Sequence, residues 1–137
     1  MKEQSLSPAT RPPRIVLVDD EEILSWCIRI ELMAQGYDVT SVGSQAEGRE
    51  AIEAYHPDLV ICDQGLPDGD GLSLMCEQPI ADQHIPVIMI TAFTPPPAQD
   101  LAAAGAQSCL RKPFDLEILS QEVRRLLKRP ETAVPVL

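Results

Sequence analysis

Asp63 stands at the end of the apolar run Leu59-Val60-Ile61-Cys62 and is followed at once by Gln64-Gly65-Leu66-Pro67-Asp68-Gly69-Asp70-Gly71. A short apolar run bounded by turn signals reads as a strand buried on both faces, so this carboxylate is expected at a strand's carboxyl end. A similar run, Arg14-Ile15-Val16-Leu17-Val18, delivers Asp19 and Asp20, followed by Glu21 and Glu22. The run at residues 85–90 ends in Thr91-Ala92, and a short run at 107–110 leads into Lys112-Pro113-Phe114. Carboxylates gathered in one place repel, which raises at least one pKa unless a cation intervenes. A hard divalent ion is the natural remedy, and Mg²⁺ binds through one or two carboxylates plus water and phosphate oxygens. A hydroxyl and an ammonium beside such a cluster complete the equipment of phosphoryl transfer, with donors to take up developing charge. A carboxylate can itself be the nucleophile, giving an aspartyl phosphate.

The elements that must carry these groups follow from periodicity and punctuation. Residues 14–18 are the first strand. A helix follows, with Ile23, Cys27, Ile30 and Ala34 on one stripe and Leu24, Ile28 and Leu32 beside it. Glu21 and Glu22 fall in its first turn, favourable for the helix dipole, and Gly36 offers its stop. Residues 37–42 form a second, weaker strand. Ser44-Gln45-Ala46-Glu47 has capping-box spacing and opens a second helix, closed by His56-Pro57. The third strand runs from Asp58 into Asp63. A helix near residues 70–78 is stopped by Pro79, and a fourth strand covers 85–90, with Pro86 near its start. Pro95-Pro96-Pro97 is loop or first helical turn, and the helix through 101–104 ends at Gly105. Residues 107–110 are a fifth strand. Asp115 caps a last helix with Leu116, Leu119, Val123, Leu126 and Leu127 at core spacing. Strands alternating with helices imply right-handed crossovers onto a parallel sheet, which gathers the strand ends at one edge.

The totals agree with one domain. The chain has 137 residues, 45% hydrophobic and 23% charged, enough for a real core. A net charge of -10 argues against binding a nucleic-acid backbone, which needs clustered Lys and Arg. Cys27, Cys62, Cys76 and Cys109 show no CxxC or Cys/His pairing, so free thiols are expected rather than disulfides or zinc ligands. The polar, proline-bearing start has no apolar core of a signal peptide, and no apolar run is long enough to span a membrane. These features point to a cytoplasmic protein. Residues 1–13 are expected to be a flexible N-terminal tail, 14–129 the domain, and 130–137 a tail or the start of a linker.

Taken in order, Asp19-Asp20, Asp63 followed by Leu66-Pro67 and Gly71, Thr91-Ala92 and Lys112-Pro113-Phe114 resemble the receiver domain of two-component response regulators, from about residue 14 to residue 129. Singly, each has a plainer reading: a strand-end hydroxyl, a solvated lysine, turn or helix-start acids. Their joint occurrence at successive strand ends is what is specific. The resemblance implies an α/β, flavodoxin-like (βα)5 fold with strand order 2-1-3-4-5. It makes Asp63 the phosphoacceptor, charged by a sensor histidine kinase or phosphotransfer protein. It makes Asp20 a direct Mg²⁺ ligand, Asp19 a ligand acting mainly through water, and the Gly65 main-chain carbonyl the remaining protein contact. Thr91 and Lys112 would bind phosphoryl oxygens, and Ala92 would keep the site accessible. Implied partners are an output domain or effector protein and a homodimer, with no direct nucleic-acid or membrane contact. Such a domain promotes its own phosphorylation and dephosphorylation and is otherwise no enzyme. With no second domain read after Arg129, the chain is expected to be a stand-alone receiver or part of a larger regulator. The acidic opening of its first helix is most similar to receivers of nitrogen-regulatory activators.

One departure stands out. Family members carry an aromatic switch residue three positions before the lysine, where this chain has Cys109, a side chain too small for that rotation. The expectation is that Thr91 moves without an aromatic partner, beside a connection stiffened by three prolines. Cys109 as a redox sensor would need an electropositive, accessible setting. Gly65 and Phe93 fall at positions that tune phosphoryl lifetime in the family. Readings from other classes are a phosphorylation-independent interaction module, which five intact site residues disfavour, and a haloacid-dehalogenase-type phosphatase. The latter needs a second acid two residues after the nucleophile, where Gly65 stands.

Overall fold

The computed structural model describes residues 11–128. Its frame is one parallel sheet of five strands: β1 (Arg14–Val18), β2 (Asp38–Val42), β3 (Leu59–Asp63), β4 (Val87–Thr91) and β5 (Ala106–Arg111). Their order is 2-1-3-4-5, as expected. Six helices connect and flank them: α1 (Glu22–Ala34), α2 (Gln45–Tyr55), α3 (Gly71–Met75), α4 (Gln78–Ala81), α5 (Ala98–Ala103) and α6 (Leu116–Leu127). Side chains alternate across the sheet. Val16, Val18, Val60, Cys62, Val87 and Met89 pack toward Ala51, Ile52, Leu74, Met75, Ile80 and Ala104 from the α2–α5 side. Ile15, Leu17, Leu59, Ile61, Ile88 and Ile90 pack toward α1 and α6, meeting Ile28, Leu32, Leu119 and Val123. Two covered faces explain why β1, β3 and β4 are continuous apolar runs rather than alternating ones.

The expected stripe of α1 needs correction. The sheet takes Ile28 and Leu32, both fully buried, whereas Ile23 is 82% exposed and Trp26, Ile30 and Met33 also face solvent. Leu24 packs on the same core, and on this side of the helix the Ser25 hydroxyl donates to the Asp19 carbonyl at 3.2 Å. Glu21 also precedes the helix instead of lying in its first turn.

The expected helix near 70–78 is two short ones, and Pro79 lies inside the second rather than ending the first. A proline in a first turn removes only an N–H that has no intrahelical partner anyway. The caps of α2 and α6 form as expected: the Ser44 side chain accepts from the Glu47 amide and the Asp115 side chain from the Glu117 amide. Glu47, however, reaches back to the Gly43 amide at 2.9 Å rather than to Ser44. Gly105, at φ +74°, follows α5 in the left-handed region that glycine tolerates.

Of the expected N-terminal tail, residues 1–10 lie outside the described residues. Arg11 pairs with Asp58 at 3.0 Å and the Pro13 carbonyl accepts from the Asp38 amide at 2.9 Å. Of the segment 130–137, every residue lies outside. Among the described residues no helix is long and apolar enough to cross a membrane.

Candidate functional site

Parallel alignment brings the carboxyl ends of β1, β3, β4 and β5 together, and the polar residues of the chain's buried interior concentrate there. Asp63 is the last residue of β3, 4% exposed, in register with Ile90 of β4. Its Oδ1 accepts from the Gly65 amide at 3.0 Å, and its Oδ2 accepts from Lys112 Nζ at 2.7 Å. Asp19, immediately after β1, is equally buried. Its Oδ1 accepts from the Glu21 amide at 2.8 Å. Its Oδ2 has no hydrogen-bond partner among the described residues and lies 3.6 Å from Lys112 Nζ. Asp20 is exposed at the rim, yet Asp19, Asp20 and Asp63 each bring a carboxylate oxygen within 4.8 Å of the others.

That grouping is a cluster of acids able to hold a metal ion. The orphaned Oδ2 of Asp19 is the observation that fits it best, because a buried carboxylate oxygen is normally satisfied. Burial pushes the Asp19 carboxyl up to about 6. The Glu21 amide opposes the shift and the neighbouring charge of Asp63 adds to it.

Lys112 follows β5, and its peptide bond to Pro113 is cis. Its own amide donates to the Thr91 carbonyl at 2.8 Å, tying it to the end of β4. Burial alone would lower its pKa, but hydrogen bonds to Asp63 and to Glu21, the latter at 2.6 Å, outweigh burial and hold the ammonium charged. Thr91 closes β4 and is fully buried; its Oγ1 accepts from the Phe93 amide at 3.0 Å. Gly65 is exposed, one residue past the turn out of β3, with open space around its Cα.

All the sequence-predicted site residues therefore lie at one sheet edge except Cys109, two residues before the end of β5. Cys109 pairs in register with Met89 and packs against the core on the α2–α5 side. Burial pushes its thiol up, the opposite of what a reactive thiolate needs. The four cysteines are free thiols. Two participants escaped the sequence reading. Glu21 was assigned to the helix dipole but bonds Lys112; its position beside Asp19-Asp20 was the available signal. Asp68, within the Gly- and Pro-rich run after Asp63, accepts from the Gln45 and Ala46 amides at the start of α2.

The sequence profile of the response regulator receiver domain matches residues 15–124. The chain is 35% identical over 125 residues to the DNA-binding dual master transcriptional regulator RpaA of Synechocystis, covering 87% of this chain and 51% of that protein. It is 33% identical over 123 residues to the DNA-binding response regulator MtrA of Mycolicibacterium smegmatis, covering 89% and 54%. Among solved structures, the receiver domain of the Francisella response regulator 1452 superposes with a TM-score of 0.77 at 26% identity, covering 85% of this chain and 98% of that one. The chain belongs to the response regulator receiver domain family of two-component signalling. It spans about half the length of the curated relatives it matches.

Proposed function

We propose that Asp63 accepts a phosphoryl group from the phosphohistidine of a sensor histidine kinase or phosphotransfer protein in the cytoplasm, and that its phosphorylation state switches contacts with an output domain or effector. The observation carrying this reading is the pairing of Asp63 with Lys112 inside a three-carboxylate cluster whose Asp19 Oδ2 is unsatisfied. Asp19, Asp20, Asp63 and the Gly65 carbonyl would hold Mg²⁺, which when bound neutralises the acids and the phosphoryl oxygens. An Asp63 oxygen attacks phosphorus as the P–N bond breaks, and the histidine nitrogen keeps the electron pair. Lys112, charged at rest, passes from Asp63 Oδ2 to a phosphoryl oxygen, and the Thr91 hydroxyl donates to another. Apart from this self-modification the domain turns over no substrate. The exposed Ile23, Trp26, Ile30 and Met33 on α1, which starts beside the acids, offer an apolar surface to the incoming partner.

Incubation with acetyl phosphate and Mg²⁺ is expected to add about 80 Da to the intact mass, with no increment in Asp63→Ala or after chelation. A wild-type chain that gains no mass under saturating donor would overturn the reading.

The switch follows from the Thr91–Phe93 bond. Drawing the Thr91 hydroxyl toward a phosphoryl oxygen pulls it from the Phe93 amide, and Phe93 begins a segment held mainly at its far end: Phe93 is 69% exposed and no residue of α5 is buried, while Leu101 and the buried Ala104 pack on the core. Residues 91–105 are therefore expected to shift between structures with and without a phosphoryl mimic, with Cys109 retaining its position. An unmoved 91–105 segment would count against this route.

A further inference from the structure

The loop that follows Asp63 carries the Gly65 carbonyl, yet little within the loop holds it. From Gln64 to Asp70 no residue is buried, and two of the seven are glycine. Its own order is a minimal antiparallel ladder pairing Gly65 with Asp70 and Leu66 with Gly69, with Pro67-Asp68 at the tip. That tip does not hang in solvent. Asp68 Oδ1 accepts from the Gln45 amide at 2.7 Å and Oδ2 from the Ala46 amide at 3.0 Å, while Gln45 Nε2 donates to the Asp70 carbonyl at 2.9 Å.

The start of α2 is thereby shared between two caps. Ser44 Oγ takes the Glu47 amide, the Ser44 carbonyl takes the Gly48 amide, and Asp68 takes the first two amides from across the molecule. The Gln45, Ala46 and Glu47 amides are donors a helix leaves open at its N-terminus, and the Gly48 amide begins the intrahelical ladder; a carboxylate there is favoured by the helix dipole. Those amides hold the Asp68 carboxyl below its ordinary range. Gly69, at φ +155°, lies so close to Gln45 that a Cβ on it would stand 2.7 Å from Gln45 Nε2.

We infer that Asp68 is a positioning residue for the phosphorylation site: by pinning the hairpin tip to α2 it fixes the direction of the Gly65 carbonyl and of the Gly65 amide that bonds Asp63. This rests on the proposed metal role of Gly65. A carboxylate serving only to cap α2 would act on helix stability alone, and Ser44 supplies the comparison, since it caps the same helix without touching the hairpin. Gln45 offers a second handle. It is the first residue of α2, where proline fits without an N–H, and the extended Ser44 before it suits proline as well. Gln45→Pro thus deletes one main-chain donor and the side-chain donor while leaving the helix.

The experiment measures Mg²⁺ affinity by calorimetry, amide exchange at Gly65, and Tm, for wild type, Asp68→Ala, Gln45→Pro, their double variant and Ser44→Ala. Groups that orient metal contacts typically change affinity by about 10–100-fold when removed; for an exposed pin acting through a main-chain carbonyl we expect roughly three- to tenfold. Asp68→Ala should weaken Mg²⁺ by that factor and speed Gly65 exchange. Gln45→Pro should reproduce part of both effects, and the double variant should exceed Asp68→Ala only by the Gln45 side-chain bond to the Asp70 carbonyl that Asp68→Ala keeps. Ser44→Ala should lower Tm with Mg²⁺ affinity unchanged. Unchanged affinity in Asp68→Ala, or equal weakening in Ser44→Ala, overturns the inference while a Mg²⁺-binding, phosphorylatable wild type leaves the proposed function standing. A wild type that binds no Mg²⁺ sinks the metal reading itself.

Discussion

Gly71→Ala is expected to lower Tm by about 10 °C or more and to remove phosphorylation in whatever fraction still folds. A Cβ built on Gly71 lies 2.0 Å from the Asp63 carbonyl oxygen, 2.8 Å from Cys62 Sγ and 3.0 Å from the Asp63 carbonyl carbon. None of these atoms can retreat cheaply. Cys62 and Asp63 are locked in register with Met89 and Ile90 of the central sheet, and the Gly71 amide is held by the Gln64 carbonyl at 2.8 Å. Overpacking a tight site destabilises by about 1–3 kcal/mol, and contact with rigid backbone puts this case at the upper end or beyond. For a domain of this size each kcal/mol shifts Tm by roughly 3–5 °C. The displaced atoms belong to the proposed phosphoacceptor itself, so activity should fall further than stability. Gly65→Ala is the matched control. Nothing lies within 4 Å of its Cβ, and only its main chain contacts the site, so Tm should stay within a couple of degrees. Calorimetry and the acetyl phosphate mass assay read both variants; a Gly71→Ala protein with wild-type Tm would refute the packing argument.

The contrast between these glycines shows what was legible in the sequence. The strands were, because a parallel sheet covered on both faces writes itself as apolar runs, and the runs of β1, β3 and β4 each lead into a polar residue: Asp19, Asp63 and Thr91. Asp63, Thr91 and Lys112 were found by where their strands stop, and that is a local property. Gly65 and Gly71 look alike in sequence, and only the fold separates a glycine in open space from one pressed on the Asp63 carbonyl. The facing of α1 was hidden for a related reason. The helix carries two apolar stripes, and periodicity alone does not say that the sheet receives Ile28 and Leu32. Asp68 was hidden because its partners lie 23 and 22 residues away, whereas an Asp between Pro and Gly reads as a turn whatever else it does. Cys109 is the reverse case: its position was evident, and its consequence depends on the Thr91–Phe93 bond that periodicity does not reveal.

In divalent-free buffer, Asp19→Asn is expected to be more stable than wild type at neutral pH, by roughly 2–3 kcal/mol. The Asp19 carboxyl is pushed up to about 6 from an ordinary 3.8, chiefly by burial. Between those values the folded protein holds a proton that the unfolded chain has released. The stability linked to Asp19 is therefore fully present below about pH 4 and is lost as pH rises through 6, after which it stays low. Asparagine keeps the oxygen that accepts from the Glu21 amide and carries no charge into the buried cluster, so the variant escapes that loss. Other carboxylates titrate in both proteins, and the difference between the two urea-unfolding series from pH 4 to pH 8 isolates Asp19. Saturating Mg²⁺ should then reverse the order at pH 7 to 8. A ligand that binds only the folded state stabilises in proportion to the logarithm of its excess over Kd, and the wild type should gain more from it than the variant. Parallel pH curves for the two proteins in chelator would show that burial does not strain Asp19. A variant that gained as much from Mg²⁺ as the wild type would remove Asp19 from the metal site. At rest Lys112 bridges Asp63 and Glu21 and lies 3.6 Å from Asp19, so its ammonium is the positive charge that partly offsets the buried acids.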